Sequence, residues 1–179
     1  TPASALKEYI NAMPPEQEHI YYIIAESRQL AMASPALEIF KSKGFDVLLM
    51  TDPVDEFIMQ NFMQYDKKYL KSANKGELEI EKDPDAEEKA LEEATKQHQK
   101  LLDYIFDKMQ DKLSAVRLTR RLTDSACCLV GESNSISPQL ERLLKAMNQV
   151  APESKRVLEL NPNHPVVGVM QKLIDEDPE

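Results

Sequence analysis

Five consecutive residues, Ile20-Tyr21-Tyr22-Ile23-Ile24, are all β-branched or aromatic and carry no charge. Successive side chains of a strand point to opposite faces, so a run that is apolar at every position needs cover on both. The run therefore reads as a strand buried on both faces, the kind found in parallel sheets with helices above and below.

The surrounding sequence supplies those helices. Ser4 is placed to cap a short helix through Met13, which Pro14-Pro15 stops. Helical sequence follows the strand, and Ser34-Pro35 opens a helix through Phe40, with Pro in its first turn and Gly44 as its C-terminal cap. Phe45 to Met50 is a second buried strand. Asp52-Pro53 opens another helix, with Val54, Phe57, Ile58 and Phe62 along one face. Tyr69-Leu70 marks a short third strand. The alternation implies a small parallel-sheet α/β/α unit with right-handed crossovers.

Charge divides the chain. Residues 76–100 carry 4 basic and 9 acidic side chains, net −5, whereas the flanking segments are each net −2. This acidic stretch is poor in large apolar residues and reads as a linker entering a solvated helix. The expected organisation is residues 1–75, an acidic linker at 76–84, and a second domain at 85–179. In that domain Leu91, Ala94, His98, Leu101, Leu102, Ile105, Met109 and Leu113 recur at helical spacing. Strands are expected at Ala115–Leu122, Ala126–Val130 and Arg156–Leu160. Further helices are expected at Ser137 to about Val150 and at Pro165 to about Asp175. The fold class is α/β plus α+β.

Composition limits the partners. The net charge of −9 argues against nucleic acid and against an anionic membrane surface. No apolar run reaches the ~18 residues that span a bilayer. Trp is absent, so Leu, Ile, Val and eight Met fill the core. Cys127 and Cys128 are adjacent, face opposite sides of a strand and cannot easily bridge each other, which fits a reducing cytoplasm.

Catalytic chemistry is hard to find. His19, His98 and His164 are scattered, and four glycines form no phosphate loop. Asp52, Asp55 and Glu56 follow a parallel strand and would suit a divalent metal in a small α/β enzyme. Acids at a helix start also favour its positive dipole end, and that reading is the stronger. The informative feature is the helix after Ser137. Ile136, Leu140, Leu143, Leu144 and Met147 form one apolar stripe, between a Ser/Asn/Gly loop and Ala151-Pro152. Such a stripe is normally core; the alternative is a partly exposed surface for a partner, and periodicity does not choose.

Several blocks are specific enough to compare. Residues 15–23 (PEQEHIYYI), 34–38 (SPALE), 43–56 (KGFDVLLMTDPVDE), 116–125 (VRLTRRLTDS), 129–130 and 158–165 (LELNPNHP) resemble, in order and spacing, the heat-shock protein 90 family in its bacterial form. The resemblance covers nearly the whole chain; the acidic stretch matches only in character. It implies the end of the middle domain and most of the C-terminal domain of an ATP-driven homodimeric chaperone that remodels partly folded clients. On that resemblance the ATP and magnesium site lies upstream of Thr1, this segment is not an enzyme and holds no cofactor, and the dimerisation helices follow Glu179. The resemblance also implies client contact by Phe57, with Gln60 one turn on, and by Ile136, Leu140, Leu143, Leu144 and Met147. Phe57 stands where the bacterial pattern often has Trp, which keeps apolar area but loses the indole N–H. A unit that only couples motion, with no client contact, is the other expectation.

Overall fold

The computed structural model describes residues 2–78, 80, 84–149 and 155–176. The first half contains α1 (Pro2–Ala12), β1 (Ile20–Ile24), α2 (Arg28–Met32), a 3-10 turn (Pro35–Leu37), α3 (Glu38–Lys43), β2 (Val47–Met50), α4 (Pro53–Asn61), β3 (Gln64–Tyr65) and β4 (Lys68–Ser72). Its sheet has the order β2-β1-β4-β3. β1 is parallel to both neighbours, pairing Tyr21 with Val47 on one side and with Lys71 on the other.

The apolar run needs two covered faces and has them. Tyr21 and Ile23 point into a cluster with Ala31, Leu37, Phe40 and Phe45, supplied by α2, the 3-10 turn and α3. Ile20 and Ile24 point the other way, into Tyr9, Met59 and Leu70, with α1 and α4 as cover. Gly44 caps α3 at φ 69°, the left-handed conformation expected of it.

Four expectations for this half change. Helix α1 begins at Pro2, so Ser4 lies within it. The helix expected from Ser34-Pro35 splits into the 3-10 turn and α3. β2 is an edge strand and half-buried at every position, because β1 and β4 occupy the sheet centre. A hairpin between β3 and β4 adds an antiparallel edge; its turn holds Asp66 and Lys67 at positive φ, a conformation common for Asp but not announced by Lys67.

The second half contains α5 (Pro84–Met109), β5 (Leu113–Leu118), β6 (Cys127–Val130), α6 (Pro138–Ala146), β7 (Arg156–Leu160) and α7 (Pro165–Glu176). Here β7 is central, parallel to β5 and antiparallel to β6. Leu101 and Leu102 of α5 and Val167 of α7 close one face against Leu118 and Leu160. Leu122, Cys128, Val130 and Val157 form the smaller cluster opposite. Leu113 continues the periodicity of α5 by coincidence: the helix stops at Met109 and Leu113 is buried as the first residue of β5. β5 ends at Leu118, and the segment to Leu122 leaves the ladder to bury Arg121 and Leu122. Helix α6 is shorter than expected; its proposed end at Val150 lies outside the described residues. Cys127 faces solvent and Cys128 the interior, where burial, with the Glu159 carboxylate beside it, pushes the thiol up to about 12.

The halves meet along a seam made largely of charge. Arg121, 1 % exposed, donates from Nε to Glu159 Oε2 (2.8 Å), from Nη2 to the Gly76 carbonyl (2.7 Å) and from Nη1 to the Ala73 carbonyl. Arg117 donates to Glu159 Oε1 (2.7 Å) and to Gly76. Two arginines of the 116–125 block are thus directed inward. Gly76, at φ 65°, approaches so closely that a Cβ there would lie 2.6 Å from Ser133 Oγ. At the far end Glu38 accepts from the N–H groups of Thr123, Asp124 and Ser125 at 2.8, 2.9 and 3.1 Å and from the Ser125 hydroxyl. Burial pushes this carboxyl up, but those four hydrogen bonds outweigh it and hold the pKa at about 2.

Candidate functional site

Helix α4 starts with a capping box: Asp52 accepts from Val54 N at 3.2 Å, and Asp55 accepts from Asp52 N at 3.0 Å. Pro53 sits at its first turn. These residues explain why the helix forms where it does, and they consume two of the three carboxylates considered for a metal. The third, Glu56, is 4 % exposed and turned into the seam, where Oε1 accepts from Lys75 Nζ (2.6 Å) and from Ser137 N (3.2 Å). Among the described residues no group of three or more His, Cys, Asp or Glu is placed to hold a metal ion.

The same turn of helix decides what faces water. Glu56 and Met59 take the buried side of α4. Val54, Phe57 and Ile58, the apolar stripe that periodicity would assign to a core, are exposed, with Phe57 at 47 %. Gln60 is exposed beside them. A charged residue thus shares the inner face with Met59, while three large apolar side chains face water, a departure from ordinary amphipathicity.

Helix α6 is capped by Ser137, whose hydroxyl accepts from Leu140 N at 3.1 Å. Its stripe divides. Leu140 is 4 % exposed, Ile136 and Leu144 are half-buried, and Leu143 and Met147 are exposed at 38 % and 59 %. The expectation that Leu140 stands exposed with the rest is overturned: it anchors the helix to the body of the protein. Helix α4 packs against α6.

Between α4 and the loop 131–135 lies a cleft of about 760 Å³. Met59, Gln60 and Met63, Glu132 to Ser135, and Tyr22, Leu70 and Lys75 are among the residues that line it. The outward apolar residues of α4 and α6 belong to the two helices tied together beside this cleft. The expected residues Phe57 and Gln60 are brought near Ile136 by the Glu56–Ser137 contact. Val54 and Ile58 were missed as surface residues because periodicity does not say which way a helix faces. Lys75 was missed because nothing near it in sequence marks it. Helix α7 turns Val166, Val169 and Leu173 outward as well.

Among the described residues no helix is long and apolar enough to cross a membrane. The family model described as Hsp90 protein matches residues 1–179. A chaperone protein HtpG of Geobacter sulfurreducens is 46 % identical over 175 residues, covering 97 % of this chain and 27 % of that protein. The chaperone protein HtpG of Geobacter metallireducens is 46 % identical over 176 residues, and that of Alkalilimnicola ehrlichii 45 % over 177, with 27 % of each covered. The chain therefore spans about a quarter of the length of these relatives. A match of this extent, on a chain whose two sheets and long helix follow the expected α/β plus α+β class, shows that it belongs to the Hsp90 family of molecular chaperones.

Proposed function

We propose that this chain is the part of an ATP-driven, homodimeric cytoplasmic chaperone that holds partly folded clients and couples the middle domain to the dimerisation region. Residues 1–75 form the end of the middle domain, 76–84 the acidic linker and 85–179 the C-terminal domain. ATP and magnesium act elsewhere in the parent protein, and this segment neither binds nor hydrolyses ATP.

Client contact falls to Phe57 and Gln60 on α4 and to Ile136, Leu143, Leu144 and Met147 around α6. Val54 and Ile58 extend the first group. Leu140 moves from contact to anchor. The observation that carries this reading is the outward apolar set on two helices that pack against each other. Scattered exposed hydrophobes need no explanation; a contiguous set marks an interaction surface. Partly folded proteins expose apolar side chains without a fixed sequence, and Leu, Met and Phe cover them without demanding one. Each large side chain that becomes fully buried contributes about 1.5–3 kcal/mol, and partial burial gives less. Contacts of this size stay reversible singly and reach useful affinity when doubled across a dimer.

The coupling role is supported by the seam, where Arg121 donates to the Ala73 carbonyl and Glu38 accepts from the backbone at residues 123–125, directional hydrogen bonds that tie one half to the other. The apolar face on α7 is suited to further contacts at the dimer end. The test is Phe57→Ser combined with Met147→Ser. Binding to carboxymethylated α-lactalbumin, a permanently partly folded probe, should fall about tenfold, equivalent to about 1.4 kcal/mol, with the unfolding midpoint unchanged. Undiminished binding would leave only the coupling role.

A further inference from the structure

We propose that Glu56 and Lys75 are positioning residues: they hold the start of α6 at a fixed place beside α4, so that both apolar faces meet one stretch of client together. The inference rests on the client reading above and adds the device that makes two faces act as one.

The geometry is a single hydrogen-bonded group drawn from three parts of the chain. Glu56 comes from the inner side of α4, Lys75 from the segment after β4, and Ser135 to Ser137 from the entry to α6. Lys75 Nζ donates to Glu56 Oε1 at 2.6 Å and to the Ser135 carbonyl at 2.8 Å. Glu56 Oε1 also accepts from Ser137 N at 3.2 Å, and Ser137 in turn caps α6 through Leu140 N. The tie therefore acts on the backbone at the first turn of α6. Glu56 immediately precedes Phe57 and Ser137 immediately follows Ile136, so the tie fixes the spacing between the two proposed contact sets.

Stability alone is a poor reason for this arrangement. A buried ion pair gains little over well-packed apolar residues, because both charges lose their water. Here the loss is incompletely offset, since Glu56 Oε2 is buried with no hydrogen-bond partner. What the charged group supplies is direction: apolar packing lets α6 slide, whereas a carboxylate shared between an ammonium and one backbone N–H does not. An ion pair from α6 itself to the first half, Arg142 with Glu26, lies at the exposed surface, where such pairs hold little. The entry loop 131–135 is short and polar and makes no apolar core of its own.

The test uses the full chain with Cys127→Ser, labelled with spin probes at Asn61→Cys on α4 and Ala146→Cys on α6; Cys128 is buried and does not react. The parent should give one narrow distance distribution. Lys75→Met and Glu56→Gln should each broaden it and weaken binding of carboxymethylated α-lactalbumin about tenfold, with Phe57 and Met147 untouched, and Lys75→Arg should restore both. Glu56→Gln keeps the size of the side chain but removes the charge that holds the Lys75 ammonium, and it guards against a Lys75 variant that fails to fold. A distribution that stays narrow in both variants overturns the proposal, whatever happens to binding. Broadening with unchanged binding overturns it too, because the faces would then act separately. Failure of the parent chain to bind the probe would instead remove the client reading, and the distances alone would decide whether the tie positions α6.

Discussion

The seam between the halves and the helix faces beside it invert the usual distribution of side chains. Along the seam Arg121, Glu159 and Glu56 are buried and hydrogen-bonded, while on α4 and α6 Phe57, Ile58, Leu143 and Met147 stand in solvent. Elsewhere the chain is conventional: both sheets close over Leu, Ile, Val and aromatic clusters. The contrast teaches that the two regions carry different work. Directional charge fixes relative position, and non-directional apolar surface is left free to cover another protein.

The contrast breaks most visibly at Arg121. Arg121→Ala leaves Glu159 Oε2 buried without its ionic partner while Arg117 still holds Oε1, so the loss falls at the low end of the cost of breaking a buried pair, about 3 kcal/mol. Urea unfolding should register most of that loss; a change below about 1 kcal/mol would mean that the seam is not held by charge. Leu140→Ala should cost about 2–5 kcal/mol by leaving a cavity under α6. Leu143→Ala, one turn along the same stripe but exposed, should stay within about 0.5 kcal/mol. Equal effects at the two positions would erase the division between anchor and surface.

Glu38 offers a finer test through pH. Its pKa is depressed from 4.5 to about 2, so its contribution to stability is fully present above 4.5 and is lost as pH falls towards 2. Glu38→Gln should flatten that part of the acid limb, and hydrogen exchange at Thr123, Asp124 and Ser125 should rise at neutral pH. An acid limb identical to the parent's would show that this end of the seam contributes nothing. The smallest expected effect on stability is that of Phe57→Ser with Met147→Ser, where client binding alone should respond.

Much of the fold was legible because local chemistry dictates it. The apolar run of β1, the Asp52-Pro53 start of α4, the Gly44 cap and the whole of β7 need only neighbouring residues to be read. The β3–β4 hairpin was not legible, because Asp66-Lys67 lacks the Asn or Gly that usually signals its turn. Helix direction was not legible either. Val54, Phe57 and Ile58 share a face at helical spacing whether that face is core or surface, and the decision lies in Glu56 finding Lys75 and Ser137. The seam joins Glu38 to residues 123–125, Arg117 and Arg121 to the Gly76 carbonyl, and Glu56 to Ser137, pairs too far apart in sequence for any period to connect. The family resemblance located the contact residues as a group; only burial separated Leu140 from Leu143 and Met147.

The central claim is that partly folded protein lies against the outward faces of α4 and α6. Photo-crosslinking addresses it directly, with a benzoylphenylalanine placed in turn at Phe57, at Leu143 and, as a control on the exposed side of α5, at Gln97. With carboxymethylated α-lactalbumin present, the first two positions should capture the probe strongly and Gln97 only weakly. Equal capture at all three, or capture at Gln97 alone, would contradict the account.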